Sequence, residues 1–135
     1  MLCLATVIVS LHVATGAGVG ALADSRLAAL ALGPLVHLAG DLTPHRDIPS
    51  TRFELTSGVG AVLLLAARRG LFDPATLGAV AASAADLEHV LPLPRPGGRK
   101  LFPSHRNAGW HGRGGLPTWV QLVGAAAIIA ALLRR

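Results

Sequence analysis

The chain alternates long apolar runs with short polar breaks, and this pattern predicts helices rather than strands. The first run covers residues 1–23 and ends at Asp24-Ser25-Arg26, a polar break that suits the cap of a following helix. It lacks a basic segment at its start, so we expect a retained helix rather than a cleaved signal. Later apolar segments are predicted at residues 27–42, 53–67, 73–90 and 118–133.

Composition places these segments in a membrane. Of the 135 residues, 52% are hydrophobic and 14% are charged, and the mean hydropathy is +0.56. Such values are typical of integral membrane proteins. We therefore predict an all-α fold, a polytopic membrane helical bundle of about five segments forming one domain over residues 1–135. A soluble five-helix bundle is the alternative.

The fourth segment has clear end signals and leads into an unusual loop. Asp73-Pro74 is an aspartate cap followed by proline at the first helical position, and Pro92 begins a run that ends the segment. Residues 92–117 are rich in glycine, proline, histidine and arginine. Such a loop is too long for a simple connection in a compact domain, so we expect it to carry function.

The formal charge of +5 would favour a nucleic-acid partner in a soluble protein. Here the basic residues separate apolar runs instead of forming one face, and aromatic residues make up only 4% of the chain. We therefore predict membrane lipids, and no nucleic acid, as partners. The oligomeric state does not follow from the sequence.

Candidate chemistry lies in two pairs at helical spacing, His37-x-x-x-Asp41 and Asp86-x-x-His89. Residues three or four apart share a face of a helix, so each pair can present two ligands together. In an alternating bundle both pairs, and the loop that carries His105, lie on the same side. Ionisable groups in apolar surroundings are costly unless they pair or coordinate an ion. The sequence therefore predicts a metal site with room for two ions.

Each candidate also has a structural interpretation. His12 stands near Gly16, Gly18 and Gly20, which indicate close helix contact, and it suits an interhelical hydrogen bond as well as a metal. His45 and Asp47 suit ordinary loop positions. Glu88 suits either an ordinary solvated position or a role in carrying a proton.

Four strings resemble the small bacterial membrane proteins grouped as membrane-bound metal-dependent hydrolases. They begin at Leu11-His12, at His37-Leu38-Ala39-Gly40-Asp41, at Asp86-Leu87-Glu88-His89 and at Leu101-Phe102-Pro103-Ser104-His105. The chain departs from the family pattern at Ala85, where a proline is expected, and in the stretch from His105 to His111.

The resemblance implies a metal-dependent hydrolase in the bacterial inner membrane, acting on an unknown small-molecule or lipid substrate. It implies the metal-facing set His12, His37, Asp41, Asp86, His89, His105 and His111. Ligands of this type without thiolate suit Zn²⁺ first, with Mn²⁺ or Fe²⁺ as alternatives. Asp86, Glu88 and Arg106 are the predicted catalytic residues.

Basic residues in the loop extend the hypothesis to a substrate. Lys100, Arg106 and Arg113 would suit a phosphate, which favours phosphoesters or lipid head groups. The competing function is non-enzymatic: a protein that binds a metal ion or lets it permeate with the same ligands.

Overall fold

Helices account for most of the chain in the computed structural model, which describes residues 8–110 and 114–135. They are α1 (Val9–Ala23), α2 (Arg26–Leu42), α3 (Thr51–Arg69), α4 (Pro74–Ser83), α5 (Leu87–Val90), α6 (Pro103–Arg106) and α7 (Thr118–Leu133). No strand forms within the described ranges, where an isolated bridge joins His45 to Leu116. The all-α prediction is confirmed.

The predicted apolar segments correspond to α1, α2, α3, the stretch from α4 to α5, and α7. The third helix begins at Thr51, two residues before its predicted start, and residues 1–7 of the first segment lie outside the described residues. Over residues 8–110 and 114–135, no helix combines the length and apolar character needed to cross a membrane. The membrane spans therefore stay a prediction.

Side-chain caps fix where three of the helices begin. Ser25 Oγ accepts from the Ala28 N–H at the start of α2, and Ser50 Oγ accepts from Phe53 N–H at the start of α3. Asp73 Oδ1 accepts from the Ala75 N–H at 2.8 Å, and Pro74 occupies the first position of α4. These caps satisfy backbone donors that a helix start leaves unpaired, and the predicted caps before α2 and α4 are confirmed.

Glycines allow α4 to lie directly against two other helices. A methyl group added at Gly16 of α1 would overlap the backbone of Gly78 in α4, and the converse substitution would overlap Gly16. At Gly33 of α2 an added methyl would lie 2.4–2.8 Å from Ala81. Around this contact the buried core consists of Val13, Ala17, Leu65, Ala75, Ala79 and Leu132.

The predicted fourth segment is divided in two. Residues Ala84–Asp86 form a tighter 3₁₀ turn between α4 and α5, which changes the angular spacing from one residue to the next. Asp86 is the last residue of this turn and His89 lies in α5, so the two residues belong to different elements.

Gly78→Ala should destabilise the fold, because the new methyl overlaps backbone that cannot rotate away. Overpacking of this kind costs roughly 1–3 kcal/mol, measured as a fall in the free energy of unfolding by denaturant. Gly60→Ala is the matched control, since nothing lies within 4 Å of its added methyl. The control should gain roughly 0.5–1 kcal/mol from helix propensity. Equal effects at both positions would contradict the close α1–α4 contact.

Candidate metal centre

Four side chains from separate parts of the chain converge near the end of α2. His37 and Asp41 come from α2, Asp86 from the 3₁₀ turn, and His105 from α6. His37 Nε2 lies 3.2 Å from Asp41 Oδ2 and 3.2 Å from His105 Nε2. Asp86 Oδ1 lies 3.8 Å from the Nε2 atoms of both histidines. The side chains of His37, Asp41 and His105 are at most 1% exposed.

Hydrogen bonds on the outer ring nitrogens fix the tautomers of both histidines. The backbone carbonyl of Ala82 can only accept, so its 2.7 Å contact with His37 Nδ1 requires a proton on that nitrogen. His105 Nδ1 donates in the same way to Glu88 Oε1 at 2.6 Å. In neutral rings the two Nε2 atoms then carry lone pairs that face each other at 3.2 Å. Two facing lone pairs repel unless a cation lies between them.

The spacing suits a metal ion as that cation. With zinc–nitrogen bonds of 2.0–2.1 Å, tetrahedral geometry places two ligand nitrogens about 3.3 Å apart, close to the observed 3.2 Å. Potential ligand atoms within 4.8 Å of one another form two overlapping groups, His12 with His37 and Asp41, and His37 with Asp86 and His105. These buried groups could hold a metal ion, as predicted.

Two carboxylates of the centre keep oxygen atoms without hydrogen bonds. Both oxygens of Asp86 and Oδ1 of Asp41 are buried and have no hydrogen-bond partner. Burial raises the pKa of Asp86, although the nearby His12, His37 and His105 work to lower it. Buried acceptors without donors are costly, and a bound cation would remove that cost.

His12 approaches the same centre from α1. Its Nε2 lies 3.2 Å from Asp41 Oδ1, without the alignment of a hydrogen bond, and its ring stacks on that of His37 at 4.0 Å. Gly40 makes room for it, because an added methyl there would lie 2.6 Å from the His12 ring. The position of His12 therefore suits either direct binding of a metal ion or pairing with Asp41 when that carboxylate binds the ion.

Glu88 holds the loop that delivers His105. Its side chain is 3% exposed and accepts from the backbone N–H groups of Leu101 and Phe102 as well as from His105 Nδ1. Burial alone would raise the pKa of Glu88, but these three hydrogen bonds lower it overall. The ionised carboxylate orients His105, as an outer partner of a metal-bound histidine does. Ser104, which the sequence did not single out, donates to Asp41 Oδ2 from the same loop.

His89 lies beside the centre and belongs to neither ligand group. Its ring packs against that of His105 at 4.2 Å, and its Nδ1 lies 2.8 Å from Lys100 Nζ. Burial, with the nearby positive charge of Lys100, lowers the pKa of His89 to about 4. Burial also lowers the pKa of Lys100. The neutral ring accepts from Lys100 at Nδ1 and so carries its proton on Nε2, a buried atom without a hydrogen-bond partner.

The remaining predicted residues belong to neither ligand group or lie outside the described residues. Arg106 is exposed at the last position of α6. His111 and Arg113 lie outside the described residues. His45 pairs with Asp47 at 3.3 Å, in keeping with the loop interpretation.

No family model, curated protein or solved structure matches this chain. The resemblance to membrane-bound metal-dependent hydrolases therefore stays a prediction carried by the four strings. Any account of activity has to be argued from the geometry of the centre itself.

Metal removal provides one test of the centre. The purified protein should contain a divalent metal by elemental analysis, and a chelator should lower its midpoint of thermal unfolding, because the ion binds only the folded arrangement. If the chelator does not change the midpoint and no metal is found, a proton holds the two histidines together and the metal interpretation is wrong.

Glu88→Gln should weaken metal affinity by roughly 10–100-fold, the usual effect of losing an outer carboxylate partner of a ligand histidine. Glu54→Gln is the matched control. Glu54 is also a buried glutamate that accepts a backbone N–H, from Val9, and it makes no hydrogen bond to a histidine of the centre. Competition titration with a metal-binding dye measures both affinities, and equal affinities in the two variants would contradict the role of Glu88.

Proposed function

We propose that this chain is a metal-dependent hydrolase whose centre binds zinc, with manganese or iron(II) as alternatives. The observation that supports it best is the 3.2 Å distance between the Nε2 atoms of His37 and His105. In each ring the other nitrogen, Nδ1, donates a hydrogen bond to an acceptor. A centre of histidine and carboxylate without thiolate suits these hard to borderline ions.

In this proposal His37, Asp41, Asp86 and His105 hold the ion, and His12 steadies Asp41. A bound divalent ion supplies Lewis acidity towards water and towards an ester or phosphoryl oxygen. Ser104 keeps Asp41 oriented through its hydroxyl, and Glu88 keeps His105 oriented through its carboxylate. The second oxygen of Asp86 has no hydrogen-bond partner, so it is available to accept a proton from a water molecule in the centre.

The chemistry next to the centre supports an ester or phosphoester substrate. Arg106 follows the ligand His105 directly and is exposed, so its guanidinium is free to bind an anionic head group. His89 offers an Nε2–H without a partner beside the ring of His105. Both groups can stabilise charge on a substrate oxygen.

We further propose that the protein is bound to a membrane, the bacterial inner membrane in the family it resembles. Exposed large apolar side chains on α2, α3, α4 and α7 support this, among them Leu27 at 81% and Trp119 at 68%. Exposed apolar side chains that form a large patch often mark a site of membrane contact. The 3₁₀ turn, α5 and α6, which carry Asp86, Glu88 and His105, would then face the polar boundary.

Metal permeation or storage is the second candidate. Residues of the centre line two separate cavities: Asp86 lines one of about 270 Å³, and His12 lines another of about 260 Å³ together with His45. An ion at the centre could therefore be reached from more than one direction, which a permeation path needs.

Asp41→Asn should reduce bound metal and bring hydrolysis of esters and phosphoesters down to the metal-free background. Asp47→Asn is the matched control, because Asp47 also pairs with a histidine but stands apart from the ligand groups. Turnover is followed on a panel of chromogenic esters, phosphomonoesters and phosphodiesters. If metal-loaded protein cleaves none of them and Asp41→Asn alters metal uptake into proteoliposomes, the permeation function replaces the hydrolase.

A further inference from the structure

An apolar groove opens beside the metal centre, between α3 and the stretch from α4 to α5. It has a volume of about 270 Å³. Its apolar walls come from Val59, Val62 and Leu63 of α3, Val80 of α4, and Leu87 and Val90 of α5. Exposed apolar side chains lining a concavity are typical of a binding groove.

The groove ends at residues of the centre. Asp86 and His89 both line it, and Asp86 Oδ1 lies 3.8 Å from the two facing histidine nitrogens. A molecule that occupies the groove therefore has one end within reach of the ligand atoms. This continuity distinguishes the groove from an unrelated apolar patch.

The polar end of the groove is equipped to hold an uncharged oxygen. Lys100 donates to His89 Nδ1, so the proton of the neutral ring is on Nε2. This Nε2–H is buried and has no hydrogen-bond partner. Among the described residues no lysine or arginine lines the groove, whereas Glu54 and Asp86 do, so the lining offers no positive charge to bind an anionic group. A carbonyl oxygen of an ester meets both conditions, since it accepts a hydrogen bond and carries no charge.

From this arrangement we propose that the substrate is a carboxylic ester with a single hydrocarbon chain, the chain lying in the groove and the ester carbonyl at His89. The groove is at the lower end of ligand-pocket volumes, roughly 300–1,000 Å³, so it accommodates one chain rather than two. This inference rests on the proposed hydrolase function. Cleavage adds water across the acyl C–O bond: hydroxide joins the acyl carbon, and the alcohol leaves with a proton.

The test compares p-nitrophenyl esters of two, four, six and eight acyl carbons, with the metal-loaded protein in nanodiscs. Each methylene buried in the groove should raise kcat/KM by about three- to fourfold. Val59→Trp should abolish this gain, so that kcat/KM for the eight-carbon ester falls towards the value for the acetyl ester. Val123→Trp is the matched control, because Val123 on α7 is similarly exposed, 61% against 55%, and does not line the groove.

The outcomes separate the two proposals. If the acetyl ester is cleaved but chain length has no effect, or Val59→Trp keeps the wild-type profile, the groove does not hold the acyl chain and this inference is wrong. If only phosphoesters are cleaved, the hydrolase stands and the ester assignment is wrong. If nothing is cleaved, binding of a fluorescent fatty-acid methyl ester tests the groove. Binding that is lost in Val59→Trp and kept in Val123→Trp supports a chain-binding groove without the hydrolase. If the wild-type protein does not bind the ester, the groove proposal is wrong.

Discussion

The glycines at positions 16 and 78 let the backbones of α1 and α4 touch, and the position of the centre depends on that contact. Because α4 lies so close to its neighbours, the carbonyl of Ala82 near its end can accept from His37 of α2 at 2.7 Å. That bond determines which nitrogen of His37 faces inward. The same helix end carries Asp86 into reach of His37 Nε2. Backbone packing thus sets both the orientation of one ligand and the placement of another.

A cation also resolves an electrostatic problem that packing creates. His37, Asp41, Asp86 and His105 are drawn together where water has little access, and buried ionisable groups without partners are destabilising. Protonation of one imidazole would offset part of the repulsion between the nitrogens, yet the oxygens of Asp86 would still lack donors. A divalent ion bound between His37, Asp86 and His105, which form one group of potential ligands, would satisfy both the nitrogens and the carboxylate. Its binding free energy would therefore contribute to folding as well as to chemistry.

The sequence predicts those parts of the fold and centre that depend on local spacing. The helices follow from apolar runs and caps such as Asp73, and the i,i+4 spacing of His37 and Asp41 places them on one face, as observed at 3.2 Å. The role of Glu88 could not be foreseen, because it depends on a loop returning from residues 101–105. The contacts of His89 could not be foreseen either, because Lys100 and His105 reach it from a later part of the chain.

The short stretch from Asp86 to His89 gives three side chains different partners. Asp86 lies beside the histidines of the centre, Glu88 binds the loop that carries His105, and His89 packs against the His105 ring and contacts Lys100. Asp86 and His89 also line the apolar groove beside α3, so the centre and the groove adjoin along this stretch. The arrangement is one in which a bound chain can reach the centre while the ligands stay buried.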